Sequence, residues 1–336
     1  MLKTNSSIYN GKRILVSGGT GMMGIPLVRT LVRLGAHVTV VSLEQKAYAR
    51  ALFGSSINFF RGDLTKFNIC EKAVEGQEYV FNLVGIKGSV GIGVKRAASY
   101  FVPMLRYQSN MLEASFRAGV SRYLFVSSIC AYPPSTLHRE DNVWNGLPKQ
   151  NDRYAGIAKR IGELEAETYL HEYNWKAVRI VRPSNVYGPF DDFNPATAQV
   201  IPALIRRVLD GERPMCIWGD GSVIRDFIFV QDVVDGLLLA MENAPPCFPI
   251  NLGSGVPMTI KELAEIIVAE SGVDTMIEWD PSKPSGDPIR LLSMERAEAT
   301  IGFRPKFTLR EGIRQTIQWY IQNREFAHER KNLLSA

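Results

Sequence analysis

Short apolar runs alternate along the first half of the chain with longer stretches that carry an apolar residue at every third or fourth position. Runs near residues 12–17, 37–42, 57–60, 79–84, 122–127 and 176–182 read as strands, and stretches near 22–34, 68–75, 99–118 and 153–173 read as helices. This alternation predicts an α/β fold with a doubly wound, Rossmann-like parallel sheet, because parallel neighbours need a crossover between them. Past about residue 185 the pattern loosens into helices and short strands broken by turns such as Pro245-Pro246 and PSKPSGDP. A smaller C-terminal lobe is therefore expected over 186–336. It is interleaved with the first unit, 1–185, to which some later segments return. No repeat or low-complexity segment interrupts either part.

Ligands of such a sheet bind beyond the carboxyl ends of its strands, so the residues that follow each strand are the candidates for function. The first of these segments is KRILVSGGTGMMG, Lys12 to Gly24, an apolar strand running through a glycine turn into an amphipathic helix. Gly18, Gly21 and Gly24 suit, in turn, a tight bend, close approach of backbone to a pyrophosphate, and packing of helix on strand. The helix start at Met22, Met23 and Gly24 would aim its N–H groups at that pyrophosphate. Residues 1–185 thus read as a dinucleotide-binding domain and the lobe as a substrate-binding one. The second strand ends in Ser42, where a carboxylate would bind the ribose of NAD. The serine admits NADP, with Lys46 and Arg50 nearby and Glu44 against it, so the cofactor is NAD or NADP. Asp63 and Leu64 after the third strand and Val84 after the fourth complete the expected cofactor contacts. Asp63 reads equally well as a turn residue.

Composition changes this picture little. Hydrophobic residues make up 46% and charged residues 22% of 336, and Lys plus Arg exceed Asp plus Glu by 39 − 34 = 5. That excess suits a phosphate-bearing ligand, and no basic run points to nucleic acid. No apolar run reaches the length of a membrane span, and MLKTNSSIYNGK has no signal-peptide apolar core, so a cytoplasmic location is the expectation. The four cysteines and four histidines are scattered, which supports neither a disulfide framework nor a metal site.

After the fifth strand comes SSICAYPP, and about twenty residues later NDRYAGIAKRIGE opens a long helix. RPSNVYGP, DFNPATAQVIPALIRR, WGDGSVIRDFIFVQDVVDG, INLGSG and KPSGDPIRLL follow in order. With the glycine turn, these strings resemble the extended short-chain dehydrogenases of the epimerase/dehydratase family, which act on nucleotide-diphospho-sugars. The likeness covers nearly the whole chain. The resemblance implies that Ser128 hydrogen-bonds the sugar's C4 oxygen, Tyr154 passes its proton, Lys159 holds the nicotinamide ribose and Cys130 is a base for epimerisation. It also implies that Asn185 contacts sugar or diphosphate, that Arg225 and Arg290 clamp the diphosphate, and that the helices near 99–118 and 153–173 pair subunits into a homodimer. The activity it implies is NAD(P)-dependent reduction at C4 of a 4-keto-6-deoxy sugar nucleotide. A 4-epimerase with retained NAD and a non-catalytic NAD(P)-binding subunit are the alternatives. A dehydratase is disfavoured, because Ile129-Cys130 stands where the acidic pair for elimination belongs.

The chain departs from the family pattern at two places. The family separates tyrosine and lysine by three residues, whereas four lie between Tyr154 and Lys159, which turns the pair about 140° apart on a regular helix. Either Gly156 is an insertion taken up by a π-bulge or a late helix start, or Ala155 occupies the tyrosine position. The bulge is the favoured reading, because NDRYA and IAK match on either side of one glycine. The second departure is Gln199, which stands where the family has a histidine acid. Glutamine cannot shuttle a proton at neutral pH, which leaves the epimerising half of the reaction in doubt.

Overall fold

The computed structural model describes residues 8–85, 96–283 and 286–329. Residues 1–7 of the N-terminal stretch read for a signal peptide, and Pro284 and Ser285 of KPSGDPIRLL, lie outside the described residues.

Apolar residues at successive positions of a strand point to opposite faces, so a strand buried on both sides must be apolar throughout. β1 (Arg13–Ser17) does this: Ile14 and Val16 enter one core while Leu15 enters the other. The same division holds along β5 (Arg122–Val126), between Leu124 and Val126 on one side and Tyr123 and Phe125 on the other. With β2 (His37–Ser42), β3 (Asn58–Arg61), β4 (Tyr79–Asn82), β7 (Val178–Pro183) and β11 (Pro249–Leu252), they form an all-parallel sheet in the order β11-β7-β5-β4-β1-β2-β3. The order reverses between β1 and β4, which opens a crevice at the carboxyl ends of those two strands.

Helices cover both faces of the sheet. On one side lie α1 (Gly24–Arg33), α7 (Val230–Asn243) and α9 (Glu295–Ile301). On the other lie α3 (Phe67–Val74), α4 (Ala97–Arg117) and α5 (Arg153–Tyr173). The short helix α2 (Lys46–Phe53) follows β2. Although α7, β11 and α9 come after residue 186, they lie on the parallel sheet.

The remaining segments build the lobe. In it β10 (Ile224–Phe229) pairs with β8 (Asn185–Tyr187), β12 (Pro257–Thr259) and β14 (Ile289–Leu292), and β14 pairs with β6 (Leu137–His138). A third, two-stranded sheet joins β9 (Met215–Trp218) to β13 (Ile277–Asp280). Three helices, α6 (Val200–Leu209), α8 (Ile260–Ser271) and α10 (Leu309–Gln322), close over the lobe's own apolar core. Capping boxes at Thr259 with Glu262 and at Thr308 with Glu311 fix the starts of α8 and α10. No helix among the described residues is long and apolar enough to cross a membrane.

Candidate active site

The glycine turn lies at the mouth of the crevice, and its backbone is packed too tightly for side chains. Gly18 has φ +69, and a Cβ on it would press the Leu83–Val84 backbone at 3.3 Å. A Cβ on Gly24 would lie 2.3 Å from the Gly18 carbonyl oxygen, so only glycine lets α1 approach β1 this closely. Gly21 donates to the Gly18 carbonyl at 2.9 Å. Among the described residues no side chain caps the first turn of α1 and no acidic residue stands in it, so the positive end of its dipole meets the crevice unneutralised. Met22 and Met23 serve the turn through packing, since both side chains lean on the lobe's core.

Around this turn, Ser42 shares a 2.8 Å hydroxyl contact with Thr20 and accepts from the Glu44 amide at 3.2 Å. The end of β2 is thereby tied to the glycine loop with no carboxylate at that position. Asp63 accepts from both the amide and the hydroxyl of Thr65, at 3.0 and 2.8 Å, and so caps a turn. Leu64 is buried and its carbonyl accepts from Asn110 at 3.1 Å; Val84 packs against the α3–α4 side of the core. A glycine cradle that a Cβ would fill, an uncapped helix start and a hydroxyl pair at the β2 end fit the pyrophosphate and ribose of a nicotinamide dinucleotide.

The carboxyl end of β5 carries the chemistry. Ser128 caps a single 3-10 turn, Ile129–Ala131, its hydroxyl accepting from the Cys130 amide at 3.1 Å. Lys159 reaches this strand end from α5. It is 7% exposed, donates to the Val126 carbonyl at 2.8 Å and lies 5.0 Å from the centre of the Phe125 ring. Burial lowers its ammonium to about 8, against the pull of Glu163 and Cys130. The turn itself is anchored from below. Tyr132 donates to Asn251 Oδ1 at 2.7 Å and accepts from Arg182 at 2.9 Å, and Arg182 is paired with Glu163 inside the core.

The expected bulge at Gly156 is absent. α5 runs as regular α-helix from Arg153, and the Gly156 amide donates to the Asp152 carbonyl at 2.7 Å, the ordinary four-residue spacing. Gly156 is required by contact: a Cβ there would fall 2.2 Å from the Cys130 carbonyl oxygen and 2.8 Å from Pro148 Cβ. The pairing of Tyr154 with Lys159 is therefore corrected. Five residues of regular helix turn them to different faces, and Tyr154 is 41% exposed, its ring edge-to-face with Phe101 at 6.2 Å between ring centres. Ala155 holds the place one turn before Lys159.

Two arginines stand side by side as register partners, Arg225 on β10 and Arg290 on β14, but their contacts differ. Arg225 Nη1 donates to the carbonyls of Ile224 and Asp287 at 2.8 and 2.7 Å. Arg290 faces the catalytic turn instead, donating to the Ile129 carbonyl at 3.0 Å and pairing with Asp152 at 2.8 Å. This differs from the diphosphate clamp expected of it. Asn185 donates to the Asp226 carbonyl at 2.8 Å, and Gln199 stands at the N-cap of α6.

Sequence reasoning missed Asp152. An aspartate just before a helix reads as a cap, yet its side chain makes no capping bond. Its carboxylate holds Arg290 and takes the Cys130 thiol at 3.5 Å. Tyr100 of α4 was missed too. Burial, with Cys130 and Asp152 nearby, raises its phenol well above the usual value.

A model of the NAD dependent epimerase/dehydratase family matches residues 14–253. The chain is 31% identical over 323 residues to a probable GDP-L-fucose synthase 1 of Oryza sativa subsp. japonica, with 93% of each chain covered. It is 29% identical over 326 residues to a dTDP-4-dehydro-6-deoxy-D-allose reductase of Streptomyces bikiniensis, covering 93% of this chain and 97% of that one. Among solved structures, UDP-glucose 4-epimerase of Thermotoga maritima with UDP-glucose gives a TM-score of 0.81 at 28% identity, covering 93% of this chain and 99% of that one. The family match contains the glycine cradle, Ser128 and Lys159. The chain belongs to the NAD dependent epimerase/dehydratase family.

Proposed function

We propose that this chain reduces the C4 ketone of a nucleotide-diphospho-4-keto-6-deoxyhexose, in the manner of GDP-L-fucose synthase. The observation that carries the reading is the meeting of Ser128 and buried Lys159 at the β5 end, beside a glycine cradle built for a dinucleotide. The glycine cradle and Lys159 would hold NAD(P)H, which would supply the hydride for C4. Ser128 donates a hydrogen bond to the C4 oxygen and fixes its orientation. Lys159 steadies the nicotinamide ribose and, with an ammonium near 8, provides the proton that the new C4 alkoxide takes up. Tyr154, turned outward, has no part in this transfer. Arg225 is the guanidinium for the diphosphate, since Arg290 is engaged with Asp152, and Asn185 and Gln199 border the sugar.

The same reading makes the enzyme a cytoplasmic homodimer. Support for the dimer comes from α4 and α5, whose outward faces expose Val102, Tyr154, Ile161 and Leu164. The test is NADPH consumption with GDP- and dTDP-linked 4-keto-6-deoxyhexoses. Turnover with either supports the reading. Retained NAD⁺ after purification with no NADPH consumption would overturn it in favour of a 4-epimerase.

A further inference from the structure

We propose that Asp152, tied in place by Arg290, keeps Cys130 as a thiol at the sugar face, so that this chain reduces its substrate at C4 without epimerising the neighbouring carbons. The inference rests on the reductase reading above and adds to it which carbons of the sugar change.

The geometry ties three separate segments together. Cys130 Sγ donates to Asp152 Oδ1 at 3.5 Å, while Arg290 Nη1 holds Asp152 Oδ2 at 2.8 Å and Nη2 holds the Ile129 carbonyl at 3.0 Å. One guanidinium thus fixes both the carboxylate and the turn that carries the cysteine. Asp152 is further set by its own backbone, accepting from the Gly156 amide at 2.7 Å and donating to the Lys149 carbonyl at 2.9 Å. For Cys130 to remove the C3 or C5 proton next to a ketone, its sulfur must be a thiolate. Here a thiolate would be a second anion 3.5 Å from a carboxylate that accepts its proton only as a hydrogen bond. Burial and Asp152 both push the thiol above its usual range, and Arg290 pulls the other way. The other charged and titratable groups around Cys130 are Lys159 on α5 and Tyr100 on α4, with Arg225 and Asp287 behind Arg290. An acid on the opposite face of the sugar is also missing at the family position, since Gln199 stands there.

Two measurements on the full-length protein test this. In the first, alkylation of Cys130 by iodoacetamide is followed by peptide mass spectrometry against pH, with exposed Cys216 as internal reference. Asp152→Asn should raise the Cys130 rate at pH 7 by about tenfold or more, while Arg290→Gln should lower it, because the one removes an anion and the other a cation beside the same sulfur. Loosening of the turn alone would raise the rate in both variants and would overturn the proposal. In the second, the wild-type reaction is run in D₂O with NADPH and the GDP- and dTDP-linked 4-keto-6-deoxyhexoses. The product should carry no deuterium at C3 or C5 beyond an enzyme-free control, and enzyme-dependent deuterium there would overturn the proposal. Failure to reduce either sugar would instead refute the reductase reading, and the alkylation arm would still decide the role of Asp152.

Discussion

A lysine ammonium loses hydration when it is buried, and Lys159 recovers part of it from the Val126 carbonyl and the Phe125 ring. That cost makes it a ready proton donor near neutral pH, whereas Tyr154 at 41% exposure faces away. Lys159→Met should therefore lower kcat by about 10² to 10⁴ and weaken cofactor binding, while Tyr154→Phe should change kcat less than about threefold. Steady-state kinetics on the two variants checks this, and a Tyr154→Phe enzyme as poor as Lys159→Met would return the proton transfer to the tyrosine. His138 gives a second residue-level test. It is 3% exposed, its ring stacks on Tyr132 at 4.8 Å, its Nε2 meets no partner among the described residues, and burial with Arg290 nearby lowers its pKa from 6.5 to about 4. Between those values the unfolded chain binds a proton that the folded chain refuses. Stability is therefore complete above about pH 6.5 and falls as pH drops towards 4, by at most about 3 kcal/mol. Urea midpoints at pH 7 and 4.5 should show the loss, and His138→Phe should reduce it.

At the scale of elements, α5 is where local pattern and tertiary contact part. Alanine normally stabilises a helix interior over glycine by about 0.5–1 kcal/mol. At Gly156 the sign should reverse, because the added methyl would meet the Cys130 carbonyl, in the turn that Ser128 caps, at 2.2 Å and Pro148, just before α5, at 2.8 Å. Gly156→Ala should cost about 1–3 kcal/mol in a denaturation experiment and should lower kcat as well. A stabilised, fully active variant would show that the turn can yield. Nothing in the sequence distinguishes this glycine from an insertion, since the atoms that exclude a side chain belong to residues 130 and 148. Strands and helices buried on a continuous face were legible, as in β1, β2 and α5, whose limits lie within a residue or so of the pattern. By contrast α2 buries only Ala49 and Phe53, too little for a periodic signal. β11 is four residues long, and what makes it a member of the main sheet is its register with β7, a long-range pairing that no local window contains. The same holds for the site. The glycine turn and Ser128 announce themselves locally, but the bond between Asp152 and Arg290 spans 138 residues and exists only once β14 lies beside β10.

At the scale of the whole molecule, the outward face of α5 is unusually apolar for a helix that meets water. Tyr154, Ile157, Ile161 and Leu164 recur at helical spacing along it, with exposures of 41%, 37% and 48% for the first, third and fourth, and Val102 on neighbouring α4 is 38% exposed. A contiguous stripe of this kind marks an interaction surface. Its inner counterpart, Lys159, Glu163 and Ala166, is buried in the fold, so the stripe is free to pair with a second copy about a twofold axis without disturbing the site. Light scattering during gel filtration should give twice the 37.6 kDa chain mass for the wild type. Leu164→Glu puts a charge into the middle of the stripe and should shift the protein to monomer at micromolar concentration, with an unchanged circular dichroism spectrum. Because a partner that binds only the folded chain stabilises it by mass action, the wild-type Tm should rise with protein concentration while that of Leu164→Glu should not. Tyr154 separates the proton-transfer role that the resemblance implied for it from a place on this stripe. As an interface residue it should tolerate phenylalanine in both assays yet break the dimer as Tyr154→Asp. A wild type that is monomeric at all concentrations would refute the pairing and leave the outward tyrosine without the role assigned to it here.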